Sequence, residues 1–194
     1  KGLKIVVLAK QVPDTRNVGK DAMKADGTVN RAALPAIFNP EDLNALEQAL
    51  RIKDKIEGTT VHILTMGPGR AAEIIREAMY RGADGGYLLS DRAFAGSDTL
   101  ATGYILSKAK EKIEELEGIK FDMLMFGKQA IDGDTAQVGP SIAEHLTIPH
   151  AAWVAEVTDV TDHSITVRQD LVSVSQVSEL PYSCLITIEF LERS

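Results

Sequence analysis

Cysteine is nearly absent: Cys184 is the only one in 194 residues, which excludes a disulfide framework. Its place in the apolar run Cys184-Leu185-Ile186 reads as a small core side chain and not as a metal ligand. Positive charge is in deficit as well. Against 28 Asp and Glu stand 21 Lys and Arg, a formal net charge of −7, and the basic residues are scattered singly, which argues against a nucleic-acid backbone as the main partner. No apolar run approaches the length of a bilayer span, and Lys1 and Lys4 precede only a short strand-like stretch. Neither a membrane span nor a signal-peptide core is read, and a cytoplasmic location is expected. His62, His145, His150 and His163 lack paired spacing and are read as strand, helix-end or loop residues. Ser97 beside Asp98 has no histidine at a recognisable spacing, which counts against a hydrolytic triad. The three-glycine dinucleotide fingerprint is missing, as are internal repeats and low-complexity segments.

What is present is a chain with 44% apolar residues, enough for one sizeable core and too short for two, so residues 1–194 are expected to form one domain. Short β-branched runs alternate with helical patterns, the signature of βαβ units. The fold class expected is α/β: an open, mostly parallel sheet with helices on both faces. Strands are predicted at Lys4 to Ala9, Val61 to Met66, Gly86 to Leu89 and Met123 to Phe126, each nearly continuous in apolar residues as a strand buried on both faces should be. Helices are predicted from Pro40 to about Glu57, Arg70 to Arg81, Asp98 to Glu117 and Thr135 to His145. Leu43, Leu46 and Leu50 mark the buried stripe of the first. After Pro149 the pattern changes to strands only, with alternation at Ile165 and Val167 and again at Val172 and Val174. The parallel part therefore spans about 1–150, and antiparallel strands about 151–194. Trp153 is assigned a core or interface role before a ligand contact. The stretch Gln11 to Pro35 lacks clear periodicity and is long enough to be functional or mobile.

In open parallel sheets ligands bind beyond the carboxyl ends of the strands, where helix N-termini leave N–H groups free. Four such places can be read. After the first strand come Ala9, Lys10 and Gln11, a polar stub ended by Pro13; Asn39 and Asp42 then flank Pro40 at a helix start. Capping by Asn39 accounts for this turn as well as a ligand does. After the second strand Thr65, Met66 and Gly67 lead into a Gly-Pro-Gly connector that a ring or phosphate can approach, and that many ligand-free βα turns also use. After the third, Ser97, Asp98 and Thr99 enter a helix, either as a hydroxyl and amide cradle for a pyrophosphate or as an ordinary helix start.

The richest segment follows the fourth strand: Gly127, Lys128, Gln129, Ala130, Ile131, Asp132, Gly133, Asp134, Thr135, Ala136, Gln137, Val138, Gly139 and Pro140. It is longer than a βα turn needs. Asp134 with Gln137 three residues on resembles a capping box and places a helix start at Thr135. The carboxylates of Asp132 and Asp134 would repel phosphate, so they are assigned to the cap or to a ribose or ribityl hydroxyl, while amides and Thr135 face the anion and Lys128 balances its charge.

This stretch resembles the nucleotide-binding loop of electron transfer flavoprotein β subunits, the FixA proteins included. Lys4 to Pro13, Asn39-Pro40-Glu41-Asp42, Arg81-Gly82-Ala83-Asp84 and Phe94 to Thr102 also match, so that the likeness covers residues 4 to about 157 well and the last strands loosely. The resemblance implies a Rossmann-like, adenine-nucleotide-hydrolase-like fold and a heterodimer with an α subunit. It further implies a bound nucleotide, AMP in the respiratory-chain branch and a second FAD in the electron-bifurcating branch. The spelling from Asp132 to Pro140 is similar to the bifurcating one, and FAD is the expectation. In that case the flavin ring lies near Ala9 to Asp14 and takes a hydride from NADH, and the implied redox partners are an acyl-CoA-type dehydrogenase, a quinone oxidoreductase or ferredoxin. One departure stands out: family members continue into an arm that embraces the α subunit, and this chain stops at Ser194. Truncation, disorder at the end and a different docking mode are left open.

Two other classes share the architecture. An adenine-nucleotide hydrolase or ATP-pyrophosphatase would grip pyrophosphate at Gly96-Ser97-Asp98, but those enzymes place their glycine and serine cluster after the first strand, where Lys10-Gln11-Val12-Pro13 stands. A universal-stress-type module would bind ATP without redox chemistry. A colourless protein carrying ATP would favour it, and a yellow complex would exclude both.

Overall fold

A computed structural model describes residues 2–14, 34–90, 99–127 and 138–189, with only the backbone of residues 99–101. The chain starts in β1 (Lys4–Leu8), whose side chains are buried from Ile5 onward. Two short strands, β2 (Gln11–Pro13) and β3 (Ala36–Phe38), pair antiparallel in a small separate ladder. Asn39 then caps α1 (Pro40–Lys55), accepting from the Glu41 N–H at 3.2 Å. The cap and the proline behind it set the start of this helix as the sequence indicates. Asp42, Ala45, Leu46, Ala49 and Ile52 form its buried stripe. β4 (Thr60–Gly67) follows, then a single 3₁₀ turn (Gly69–Ala71) and α2 (Ala72–Arg81), so the helix predicted from Arg70 has a tighter first turn.

Next come β5 (Gly85–Ser90), α3 (Thr99–Glu117), β6 (Met123–Gly127) and α4 (Val138–Leu146). Four strands close the order: β7 (His150–Val160), β8 (Ser164–Asp170), β9 (Ser175–Pro181) and β10 (Cys184–Ile188). They build an eight-stranded sheet in the order β5-β4-β1-β6-β10-β7-β8-β9. β1 pairs parallel with both β4 and β6, and the antiparallel pairs are those of β8 with β7 and β9. The sheet is therefore mostly parallel, with antiparallel strands from its C-terminal part, as the periodicity indicates.

Two details differ from the sequence reading. The last strand, β10, does not join the antiparallel edge but runs parallel between β6 and β7. Its five residues are all buried, the mark of a central strand. Val172 and Val174 lie in the turn between β8 and β9, where Leu171 and Val174 exchange backbone hydrogen bonds. Their alternation reflects an exposed tip, not a pleat.

The core has two layers. Ile5, Val7, Ile63, Met123, Met125, Cys184 and Ile186 meet α1 and α2 on one face, whereas Val6, Leu8, Leu64, Leu124, Phe126 and Leu185 meet α3 and α4 on the other. Cys184 is fully buried, and burial pushes its thiol up to about 12. Trp153, by contrast, is half exposed with φ +54°, at an irregularity where β7 slips against β10. No described helix is long and apolar enough to cross a membrane.

Candidate functional site

The chain crosses from β1 to β4 over one face of the sheet, and from β5 back past β1 to β6 over the other. The crossovers diverge beyond the carboxyl ends of β1 and β6, the position at which open α/β sheets bind ligands. A cleft of about 290 Å³ opens there on the α3 and α4 side. Leu8 of β1, Leu64 and Met66 of β4 and Phe126 of β6 form its walls, Thr102 and Leu106 of α3 cover it, and Val138 of α4 closes one end. Ala9, Lys10, Gln11 and Asp42 make the rim. The slot is apolar inside with a few polar groups at its edge, the usual make-up of a cofactor pocket. A larger groove of about 700 Å³ between α1 and β7 has Glu47, Arg51, Asp54 and Lys55 among its lining. It reaches Ile188 and Glu189 at the end of β10, away from the ends of β1, β4 and β6, and its lining mixes acidic and basic side chains.

Hydrogen bonds fix the rim. The Gln11 side-chain amide donates to the Arg70 carbonyl at 3.3 Å, tying the chain after β1 to the turn after β4. The Asn39 N–H donates to the Lys10 carbonyl at 3.0 Å. Asp42, 1% exposed, accepts from the Lys10 N–H at 3.1 Å through Oδ2 and from the Gly127 N–H at 3.0 Å through Oδ1. One carboxyl thus joins the end of β1 to the end of β6. Burial lifts its pKa to about 7, and the two amides and the Lys10 charge only partly offset that.

Of the residues singled out from sequence, Ala9, Lys10, Gln11, Asp42, Met66 and Val138 converge on the cleft. Asn39, Gly127 and Gly139 lie behind it. Asn39 caps α1, and Gly127 approaches α1 so closely that a Cβ would overlap the Glu41 carbonyl. Gly139 lets α4 approach Phe126, whose ring tip would lie 2.7 Å from a Cβ there. Thr65 is one residue from Leu64 and Met66 and so projects to the opposite face of the sheet. It is fully buried, and its hydroxyl finds no hydrogen-bond partner among the described residues. Gly67 ends β4, Thr99 starts the described part of α3, and Pro140 is exposed on α4. Ser97, Asp98, Lys128, Gln129, Asp132, Gly133, Asp134, Thr135, Ala136 and Gln137, like residues 15–33 of the long aperiodic stretch, lie outside the described residues.

The walls Leu8, Leu64, Thr102, Leu106 and Phe126 were missed by a reading that looked for polar and glycine-rich turns. Their signal was the strand period: Leu64 and Met66 share a face, and so do Leu124 and Phe126. Thr102 and Leu106, four apart, are neighbours on one helical face.

Comparison with known proteins now bears on this geometry. The electron transfer flavoprotein domain model matches residues 26–189. The electron transfer flavoprotein subunit beta of Megasphaera elsdenii is 48% identical over 186 residues, 95% of this chain and 68% of that protein. The caffeyl-CoA reductase-Etf complex subunit CarD of Acetobacterium woodii is 45% identical over 185 residues, again 95% of this chain and 68% of the relative. Protein FixA of Azotobacter vinelandii is 45% identical over 185 residues, 94% of this chain and 64% of the relative. The chain thus spans about two thirds of the length of these relatives. A family model matched over most of the chain and identities of this order lead to one conclusion: the chain belongs to the electron transfer flavoprotein family, among its β subunits.

Proposed function

We propose that the chain holds FAD, or alternatively AMP, in the cleft beyond β1, β4 and β6. In this reading it works as the β half of a heterodimer with an electron transfer flavoprotein α subunit, carrying electrons between NADH or a dehydrogenase and the α-subunit flavin. The observation that carries this reading is the apolar slot at the topological switch point, with its polar rim of Lys10 and Gln11.

The residues suit such a group. Leu8, Leu64, Met66 and Phe126 offer a flat aromatic ring a dry surface. Lys10 puts a cation at the rim. Val138 sets the described part of α4 against the cleft. A flavin, when bound, supplies the hydride and one-electron chemistry. The chain's own work is to bind and orient the ring, shield it from water and set the charge around it.

The spelling of residues 132–140 and the likeness to CarD, a subunit of a reductase-Etf complex, support FAD over AMP and electron bifurcation over simple carriage. The name of CarD supports a CoA-ester reductase or dehydrogenase as redox partner, and ferredoxin or a quinone oxidoreductase as the acceptor is part of the proposal on the family resemblance alone. Co-expression with an α-type subunit, followed by denaturing release and counting of nucleotides, tests the assignment. Two flavins per heterodimer support FAD in this cleft, and one flavin with one AMP supports the alternative. A colourless preparation carrying ATP contradicts both.

A further inference from the structure

Leu171, Val172, Val174 and Val177 stand in water together: Val172 is fully exposed and the other three are more than half exposed. They belong to the ribbon of β8 and β9, whose tip is closed by the backbone bonds between Leu171 and Val174. Those two lie opposite each other and share one side of the ribbon, whereas Val177, opposite Arg168, lies on the other. Trp153 stands at the foot of the tip, because its neighbour Ala152 accepts a hydrogen bond from the Gln169 side chain at 2.6 Å. It is half exposed on a backbone of φ +54°, a conformation unfavourable for a bulky residue, so the chain accepts strain there and still leaves an aromatic side chain in water. β9 is also the outer strand of the sheet, with no strand beyond it among the described residues. An apolar outer strand left open is a template for association, which monomeric proteins avoid.

We propose that the β8–β9 ribbon, with Trp153 at its foot, is the surface on which the α subunit docks, the tip entering an uncharged apolar groove of that partner. This rests on the heterodimer reading above. Size supports it: the five side chains present roughly 250–450 Å² of apolar surface, against about 450 Å² of apolar area on each side of a standard-sized interface. Charge defines the groove. Arg168 pairs with Glu156 at 2.5 Å and with Asp170 at 3.0 Å, and the Ser175 and Ser164 hydroxyls donate to Asp170 and Glu179 at 2.8 and 3.1 Å. The ribbon's charges are thus matched within it, and a charge on the partner's side would be buried without a mate. Because the apolar side chains point to both sides of the ribbon, a flat partner would cover only some of them and a groove covers all. A second copy of this chain fits less well. Its large groove would set Glu47, Arg51, Asp54 and Lys55 against valine and leucine, and its small one is the cleft assigned to the cofactor.

The test mixes the 194-residue chain with a separately purified α-type subunit in the presence of FAD and measures their affinity. The double variant Val172→Asp, Val174→Asp should bind the α subunit about 100-fold more weakly or not at all, as loss of a central apolar anchor does. Leu116→Asp, at an exposed leucine of α3 away from the ribbon, should bind as wild type does. Equal affinity of the double variant and wild type would overturn the proposal while leaving the heterodimer reading in place. A wild-type chain that binds no α subunit would defeat that reading, and the docking surface with it. Self-association of the chain alone that the double variant abolishes, with α-subunit binding unchanged, would make a second copy the occupant and overturn the proposal. Trp153 is the only tryptophan, so wild-type chain grown on 5-fluorotryptophan gives one fluorine resonance and needs no variant. Its shift between H₂O and D₂O should disappear when unlabelled α subunit is added; a solvent shift retained in the heterodimer would contradict the placement of Trp153 at the interface.

Discussion

Gly127 stands where the end of β6 meets the first turn of α1, and an added Cβ would overlap the Glu41 carbonyl and crowd the Asp42 nitrogen at 2.7 Å. Both neighbours are backbone, so relief requires moving a strand or a helix. Gly127→Ala should therefore destabilise by about 2–3 kcal/mol or more, as overpacking of a rigid site does. A urea midpoint within experimental error of wild type would refute that reading. Asp42 carries an opposite cost. Its folded pKa, about 7, lies above the usual carboxylate value, so its protonated form contributes stability that is complete below pH about 3.9 and lost as pH rises through 7. The stability advantage of wild type over Asp42→Asn should accordingly shrink from pH 5 to pH 8, measured by paired urea titrations.

Asp84 behaves the other way. Burial works against its charge, but the Val61 N–H at 2.8 Å and the Lys53 ammonium at 3.1 Å outweigh it and hold the carboxyl below its ordinary range. That contribution is present above about pH 4 and lost as the pH falls through the depressed value. Asp84→Ala should cost about 1–3 kcal/mol at pH 7 and less at pH 3. An equal cost at both pH values would assign the effect to packing alone.

Among the elements, α4 has the most direct hold on the cleft. Gly139 allows it to rest on Phe126 and on the Thr187 methyl of β10, 3.4 Å from where a Cβ would be. Gly139→Ala would push the Phe126 ring, a cleft wall, out of place. FAD binding should weaken several-fold while far-UV circular dichroism stays that of wild type; unchanged affinity would show that the ring has room to retreat. The strands β1, β4 and β6 were legible because burial on both faces leaves an apolar run that nothing else explains. The place of β10 was not, since Cys184 to Ile188 reads the same at an edge or in the centre, and only contact with β6 and β7 decides. The β2 and β3 ladder was illegible for another reason: its three-residue strands are separated by more than twenty positions and carry no period. The turn holding Val172 and Val174 contains none of the residues that usually mark turns save Ser173.

For the whole molecule, the sheet matters through its ends. Its centre is nearly free of polar side chains, whereas the carboxyl edge collects Lys10, Gln11 and Asp42 around an apolar slot. The sequence pointed to this edge through its polar and glycine-rich turns. It did not show that the pocket's interior is built from strand and helix residues that look like ordinary core. Those residues converge only once β4, β1 and β6 lie side by side under α3 and α4. The central claim is that this edge holds a nucleotide, and a crystal structure of the chain grown with FAD tests it most directly. The account predicts electron density for the ligand against Leu8, Met66 and Phe126 with Lys10 at its rim; a vacant cleft with FAD bound elsewhere on the surface would contradict it.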